Sequence, residues 1–363
     1  MKLTIFGLSI SSSWGNGHAT LWRGLCRALI ARGHNVHFFE RDVPYYAAHR
    51  DLVEMPGGSL HLFSEWDEVL PSVRKHVRDS DVTMVTSYCP DALAAADVCL
   101  DSQALNTFYD LDTGVTLQRL AQGLPVDYIG PRGLRDYDLV LSYVGGRALD
   151  DLRTRLGARI TAPIYGSVDP LVHHPVKALE RFTADLSYLG TYAEDRQPAL
   201  ERLLLEPARM MPEMYFRIAG AMYPADFPWS HNIHFDRHLP PAEHPSFYCS
   251  SRLTLNITRH AMAVNGYCPS GRFFEAAACG VPILTDEWEG LDHFFKPGSE
   301  IIEAQDSSDA VNGLLLDDSE LRRIGMAARE RTLAEHTADV RAREMEAAFE
   351  SVRNTRQLTA AEV

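Results

Sequence analysis

The chain has 363 residues, with 35 Lys and Arg against 49 Asp and Glu for a formal net charge of −14, and it is 45% hydrophobic and 9% aromatic. Such a composition belongs to a globular protein whose length suits two domains, each with its own core. The net acidity excludes a groove that wraps nucleic acid or an anionic membrane, which needs a dense positive field, and leaves room for a local basic pocket.

The N-terminal run MKLTIFGLSI turns polar at Ser11-Ser12-Ser13, too soon for a signal-peptide core, and reads as a first strand. No window approaches the roughly 18 apolar residues of a membrane span, so a cytoplasmic protein is expected. The six cysteines stand without a C-x-x-C pair and are expected to be reduced core residues.

Strand-like runs LTIFGL, NVHFFE, VTMVTS, VCLDS and DLVLSY alternate with helical patterns to about residue 155, the signature of a parallel α/β domain. Leu21, Leu25, Ala28 and Leu29 recur at helical spacing after His18, and Gly33 stops that helix. The loop from Ser11 to His18 lies where open parallel sheets bind ligands. Gly15-x-Gly17 begins eight residues beyond Gly7 and Thr20 takes the third glycine position. That spacing disfavours a dinucleotide fingerprint, although Glu40 ends the second strand where a ribose-binding acid would sit. His18 reads either as a helix N-terminal residue in a polar turn or as a general base, a neutral imidazole at a helix start. Asp91, in the turn SYCPD, is the candidate orienting partner. Phe108 to Thr113 end a strand with Asp110 and Asp112 two apart, read as contacts to substrate hydroxyls in preference to a metal pair.

A Pro-rich stretch, APIYGSVDPLVHHPVKALERFT, precedes a fresh series of strands in ADLSYLGTY, MYFRIAGA, NIHFD, RLTLNIT and VPILTD, which predicts a linker and a second α/β domain. Between Pro269 and Asp286, Ser270-Gly271 opens a short helix and Gly280 closes it. Its N-terminus suits a phosphate, with Arg272 adding charge and Glu275 placed one turn on to accept ribose hydroxyls; a plain i,i+3 surface pair is the alternative. His231, His234, His238 and His244 lie in and around NIHFD without a tight Cys/His set, and no zinc site is expected there. Residues 319–353 are charged and amphipathic, with Met345, Ala348, Phe349 and Val352 on one face.

The run EAAACGVP from Glu275 resembles the nucleotide-sugar site of GT-B glycosyltransferases of the group 1 type, whose motif reads E-A-x-A-C-G-x-P-V. More widely, SSSWGNGHAT, FYDLDTGVTL, SVDP, YLGTYAEDRQPAL, TLNITRHAM and SGRFFEAAACGVPILTDEWEGLDHFFKPGSEI resemble the CgeB-like branch, named for a spore maturation protein. The resemblance implies an α/β fold of GT-B architecture, with two Rossmann-like domains facing across a cleft. An acceptor-side domain would span 1–170, a nucleotide-sugar-binding domain 171–330, and a terminal helix and tail, 331–363, would return towards the first domain, the C-terminal helices packing across both.

The same resemblance implies a nucleoside diphosphate sugar as co-substrate, no further cofactor, no metal, no nucleic-acid partner and a hydroxyl-bearing acceptor. Gly190, Arg196, Gly220, Arg259, Ser270, Gly271, Arg272 and Glu275 would bind the donor. Trp14, Asn16, Tyr109, Asp110 and Asp112 would line the acceptor side, with His18 and Asp91 catalytic. Arg196 falls six residues after Gly190, where the group 1 motif G-R-x-x-x-x-K has its lysine, while Thr191 replaces the arginine. Tyr267 stands where relatives carry the first of two glutamates eight apart, which favours an inverting transfer with His18 as base over the retaining course. Two rivals share such a donor site: a nucleotide-sugar 2-epimerase, which needs no acceptor, and a sugar-nucleotide-binding protein without catalysis.

Overall fold

A computed structural model describes residues 1–361, with side chains through Arg356. The chain forms two units, one of residues 1–165 with the segment from Ala338 onward, the other of residues 166–337. The sequence reading set these limits at 170 and 330.

In the first unit β1 (Lys2–Gly7), β2 (Asn35–Arg41), β3 (Ser59–Phe63), β4 (Val82–Thr86), β5 (Leu105–Asp110), β6 (Leu139–Ser142) and β7 (Thr161–Pro163) make one sheet in the order β3-β2-β1-β4-β5-β6-β7. Every neighbouring pair is parallel, so each crossover needs a helix. The apolar stripe expected after His18 becomes the helix Gly17–Ala31, whose Leu21, Trp22, Leu25 and Leu29 are buried on one face of the sheet. Gly33, at φ +86°, ends that run. VCLDS is not a strand: Val98, Cys99 and Leu100 close the helix Ala92–Leu100, whose Ala95 and Cys99 pack into the other face. A short apolar run carries no period that separates strand from helix.

The last helix, Ala338–Ala361, belongs to this unit. Met345, Phe349 and Val352 are buried beside Trp22 and Leu25, with Ala348 partly buried among them. The helix Asp318–Glu335 packs on Gly271–Ala278 in the second unit. Glu346 anchors the last helix to the first: its carboxylate accepts from Arg32 at 2.7 and 2.8 Å and lies 2.6 Å from His34 Nε2. The Arg32 hydrogen bonds, with His34 adding, hold this carboxyl down at about 2 from an ordinary 4.5. Because the folded value is the lower one, its stabilising contribution is complete above about pH 4.5 and fades as pH falls towards 2. Glu346→Gln is therefore expected to lower the urea midpoint at pH 7 and to flatten the acid limb between those values. An acid limb identical to wild type would show that this pair does not hold the helix.

The second unit repeats the plan. Its strands β8 (Ala184–Leu189), β9 (Phe216–Ala219), β10 (Ile233–Asp236), β11 (Ser251–Asn256), β12 (Ile283–Thr285) and β13 (Ile302–Glu303) run in the order β10-β9-β8-β11-β12-β13, again all parallel. In both units the first strand is internal and the winding reverses beside it, between β1 and β4 and between β8 and β11. The crevice at the carboxyl ends of such a pair is where open α/β sheets bind ligands. No helix among the described residues is long and apolar enough to cross a membrane.

Candidate functional site

At the β8/β11 reversal a pocket is lined by Tyr188 to Gly190, Arg196, Tyr248, Thr254 to Ile257, Ser270 and Arg272. Four of the predicted donor residues, Gly190, Arg196, Ser270 and Arg272, thus meet although they lie up to 82 residues apart in sequence, 272 − 190. Ser270 is the extended N-cap of the helix Gly271–Ala278 and leaves the first-turn N–H groups without a side-chain cap. Free N–H groups and the helix dipole favour an anion there. Arg196 donates to Thr191 O at 3.1 Å, but its Nε and the Nε of Arg272 are buried without hydrogen-bond partners. Unspent donors on two permanent cations are costly to bury unless an anion takes them up. Arg259 stands at the N-cap of the preceding short helix, His260–Ala263, and pairs with Asp195 at 3.4 Å. Its loop is pinned by Asp286, which accepts from Thr258 N at 3.0 Å and whose carboxyl burial pushes up to about 6.

The two glycines expected at this site work through the backbone. Gly190 N donates to Ala219 O at 2.9 Å, which laces the loops after β8 and β9 together. Gly220 holds φ +155°, and a Cβ there would lie 2.0 Å from Gly190 O. Gly220→Ala is therefore expected to destabilise the second unit by about 2 to 4 kcal/mol, backbone strain plus a clash that no side chain can relieve. A wild-type denaturation midpoint in this variant would refute that packing.

Glu275 departs from its expected place. Its carboxylate, on a residue only 6% exposed, is not in the pocket wall but 3.7 Å from His173 Nε2 and from His244 Nδ1. Burial works to raise its pKa, but His173, His244 and Arg272 outweigh it and hold the carboxyl at about 2. In this structure it faces protein cations and imidazoles where a direct ribose contact was expected. His173, which gave no local signal in sequence, completes this group. Of the four histidines in and around NIHFD only His244 belongs to it; His231 and His234 are exposed, and His234 stacks on Tyr215.

At the β1/β4 reversal the loop from Ser9 to Asn16 is built around Glu40. That buried carboxylate accepts from Ser9 Oγ, Ile10 N, Ser11 N and Ser11 Oγ at 2.6 to 3.0 Å. With its lone pairs committed to the loop, it is not the ribose acid of a dinucleotide site. Asn16 is likewise structural: it caps the helix Gly17–Ala31 by accepting from His18 N and donates to Ser9 O and Ser12 O. Trp14 is half-buried, stacked on His49 at 4.2 Å.

His18 Nε2 lies 2.8 Å from Asp112 Oδ2, so the ring donates from Nε2 and its lone pair falls on Nδ1, which is buried without a partner. The orienting carboxylate is thus Asp112. Asp91 is instead bound to Arg41 at 2.8 and 2.9 Å, a two-point pair that fully occupies it. Tyr109 and Asp110 are also corrected. Tyr109 is a core residue whose hydroxyl donates to Ile164 O at 2.7 Å. Asp110 is fully buried, accepts from Asp112 N, and burial, with the Asp112 charge adding, pushes its carboxyl up to about 7. Only Asp112 of the carboxylate pair reaches solvent, its side chain 22% exposed.

Among the described residues three that are not glycine hold positive φ: Tyr88 (58°) after β4, Met222 (68°) after β9 and Tyr267 (46°) before the helix Gly271–Ala278. Each belongs to a ligand-end loop, and Tyr88 meets His18 edge-on. Backbone strain of this kind costs about 1 to 3 kcal/mol and gathers at functional sites. No signal in the sequence marks these positions.

A sequence profile of the family described as glycosyl transferase-like matches residues 196–347. No curated protein sequence matches the chain. Among solved structures, sucrose-phosphate synthase from Thermosynechococcus elongatus is 15% identical with a TM-score of 0.69, the match covering 99% of each chain. HepE of Anabaena, solved with UDP and glucose, is 13% identical with a TM-score of 0.67, covering 96% of this chain and 99% of its own. An alpha-glucosyltransferase solved with UDP-glucose and DNA is 12% identical with a TM-score of 0.70 and the same coverage. The fold is that of the GT-B glycosyltransferases.

Proposed function

We propose that this chain is a glycosyltransferase that moves a sugar from a nucleoside diphosphate sugar to a hydroxyl-bearing acceptor. The observation that carries this reading is the pocket at the β8/β11 reversal, where Arg196, Arg272 and an uncapped helix N-terminus converge with unspent donors. Glycosyl transfer develops negative charge on the departing diphosphate, and fixed cations and N–H dipoles stabilise that charge without reorganising. Arg259 lies outside the lining of this pocket, its guanidinium paired with Asp195 next to Arg196 in sequence. With this charge supplied by protein, the transfer step needs no metal at the diphosphate.

His18 acts as the base. Asp112 holds its Nε2–H, and Nδ1, buried in the free protein, is the nitrogen left to take the proton of the acceptor hydroxyl as the oxygen bonds to the anomeric carbon. The bond from that carbon to the diphosphate breaks, and the electron pair leaves with the diphosphate. Attack from the side opposite the leaving group inverts the anomeric centre.

The test is incubation with UDP-glucose, a ligand of the alpha-glucosyltransferase above, with and without an acceptor panel and with EDTA. UDP release that depends on an acceptor and continues in EDTA supports transfer. An isomerised nucleotide sugar formed without acceptor supports an epimerase, and tight UDP binding without turnover on any acceptor or donor supports a binding protein.

A further inference from the structure

Away from both strand reversals, the first unit packs three imidazoles against one another. His37 lies on β2, His61 on the edge strand β3 and His76 near the end of the helix Trp66–Arg78. Phe39 pairs in register with His61, so His37, two residues before Phe39, shares its face of the sheet. Phe39 stacks on His61 at 4.3 Å and meets His76 at 5.4 Å, fixing the rings from one side.

The ring centroids stand 5.4 Å apart for His37 and His61, 4.6 Å for His37 and His76, and 4.8 Å for His61 and His76. His37 Nδ1 and His61 Nε2 are 3.2 Å apart, and one nitrogen from each of the three rings falls within 4.8 Å of the other two. A tetrahedral ion bound at 2.0 to 2.1 Å to three imidazoles would set the nitrogens roughly 3.3 Å apart and the centroids roughly 5 Å apart. The three ring centroids, and the facing nitrogens of His37 and His61, already stand near this spacing. His76 Nδ1 lies 2.8 Å from Ser72 O, a carbonyl that can only accept, so the proton is on Nδ1 and the lone pair on Nε2. Fixing the far nitrogen in this way is how proteins orient a metal-binding imidazole. His37 Nε2 is buried without a partner, so one nitrogen of the trio is left without the hydrogen bond a buried polar atom ordinarily makes.

We propose that His37, His61 and His76 bind a divalent transition-metal ion of the zinc class, with the fourth position open to water. Three neutral nitrogen ligands suit zinc or cobalt and not magnesium or calcium, which prefer oxygen. The ion would tie the edge strand β3 and the helix Trp66–Arg78 to β2.

The test is titration of Co²⁺, then Zn²⁺, into the EDTA-stripped full-length chain. The expected result is one equivalent of cobalt giving the visible absorption of a four-coordinate ion, displaced by zinc, with a rise in Tm on zinc addition. His61→Gln and His76→Gln, on separate elements, should each weaken binding at least 10-fold. His244→Gln, which alters the buried group of His173, His244 and Glu275, should leave it unchanged. The proposal is overturned if the wild type gives no one-to-one cobalt band, or if the band survives both His61→Gln and His76→Gln.

Discussion

His18→Ala is expected to lower kcat by roughly 10²- to 10⁴-fold while leaving nucleotide-sugar affinity near wild type, the range a positioned general base supplies. The expectation rests on the Nε2 contact to Asp112 at 2.8 Å and on the unpartnered Nδ1. Asp112→Asn keeps the shape but lets the amide donate to Nε2, which favours the wrong tautomer and should also depress kcat. Asp91→Asn should not, since Asp91 is occupied by Arg41. Product analysis by NMR should find the anomeric configuration of the donor inverted. A near-normal kcat in His18→Ala, or a retained configuration, would remove His18 from the base role.

Arg196→Ala and Arg272→Ala should each weaken UDP binding by about 10- to 150-fold, the loss of a charge-assisted hydrogen bond worth about 1.5 to 3 kcal/mol. Stability should change little or rise slightly, because each guanidinium buries an Nε with no partner in the free protein. Both residues serve one diphosphate, so the double variant should lose less than the product of the single losses. Calorimetry on the three variants decides it. Wild-type affinity in both single variants would take the diphosphate away from this pocket.

Much of the fold was legible because it is written locally. The stripe Leu21, Leu25 and Leu29, the stop at Gly33 and the strands RLTLNIT and VPILTD are patterns of period 3.6 or 2 within short windows, and each became the element expected. Gly190, Arg196, Ser270 and Arg272 were legible for a different reason. They sit at the carboxyl ends of strands and at a helix start, so locating the elements locates them. What failed was pairing over distance. The partner of His18 lies 94 residues on at Asp112, and nothing near Asp91 in sequence reveals that Arg41 claims it. Glu40 stood where a ribose acid would stand and instead builds its own loop. Tyr109 and Asp110 looked exposed because they precede a turn, yet β5 is an inner strand of the sheet and buries both. The histidine trio was equally hidden, its members separated by 24 and 15 residues, 61 − 37 and 76 − 61, across three elements.

The most direct measurement of the central assignment is a crystal structure of the chain with UDP. The diphosphate should accept hydrogen bonds from Arg196, from Arg272 and from the first N–H groups of the helix Gly271–Ala278, within the pocket between the ends of β8 and β11. UDP bound elsewhere on the molecule, with Arg196 and Arg272 unoccupied, would contradict it.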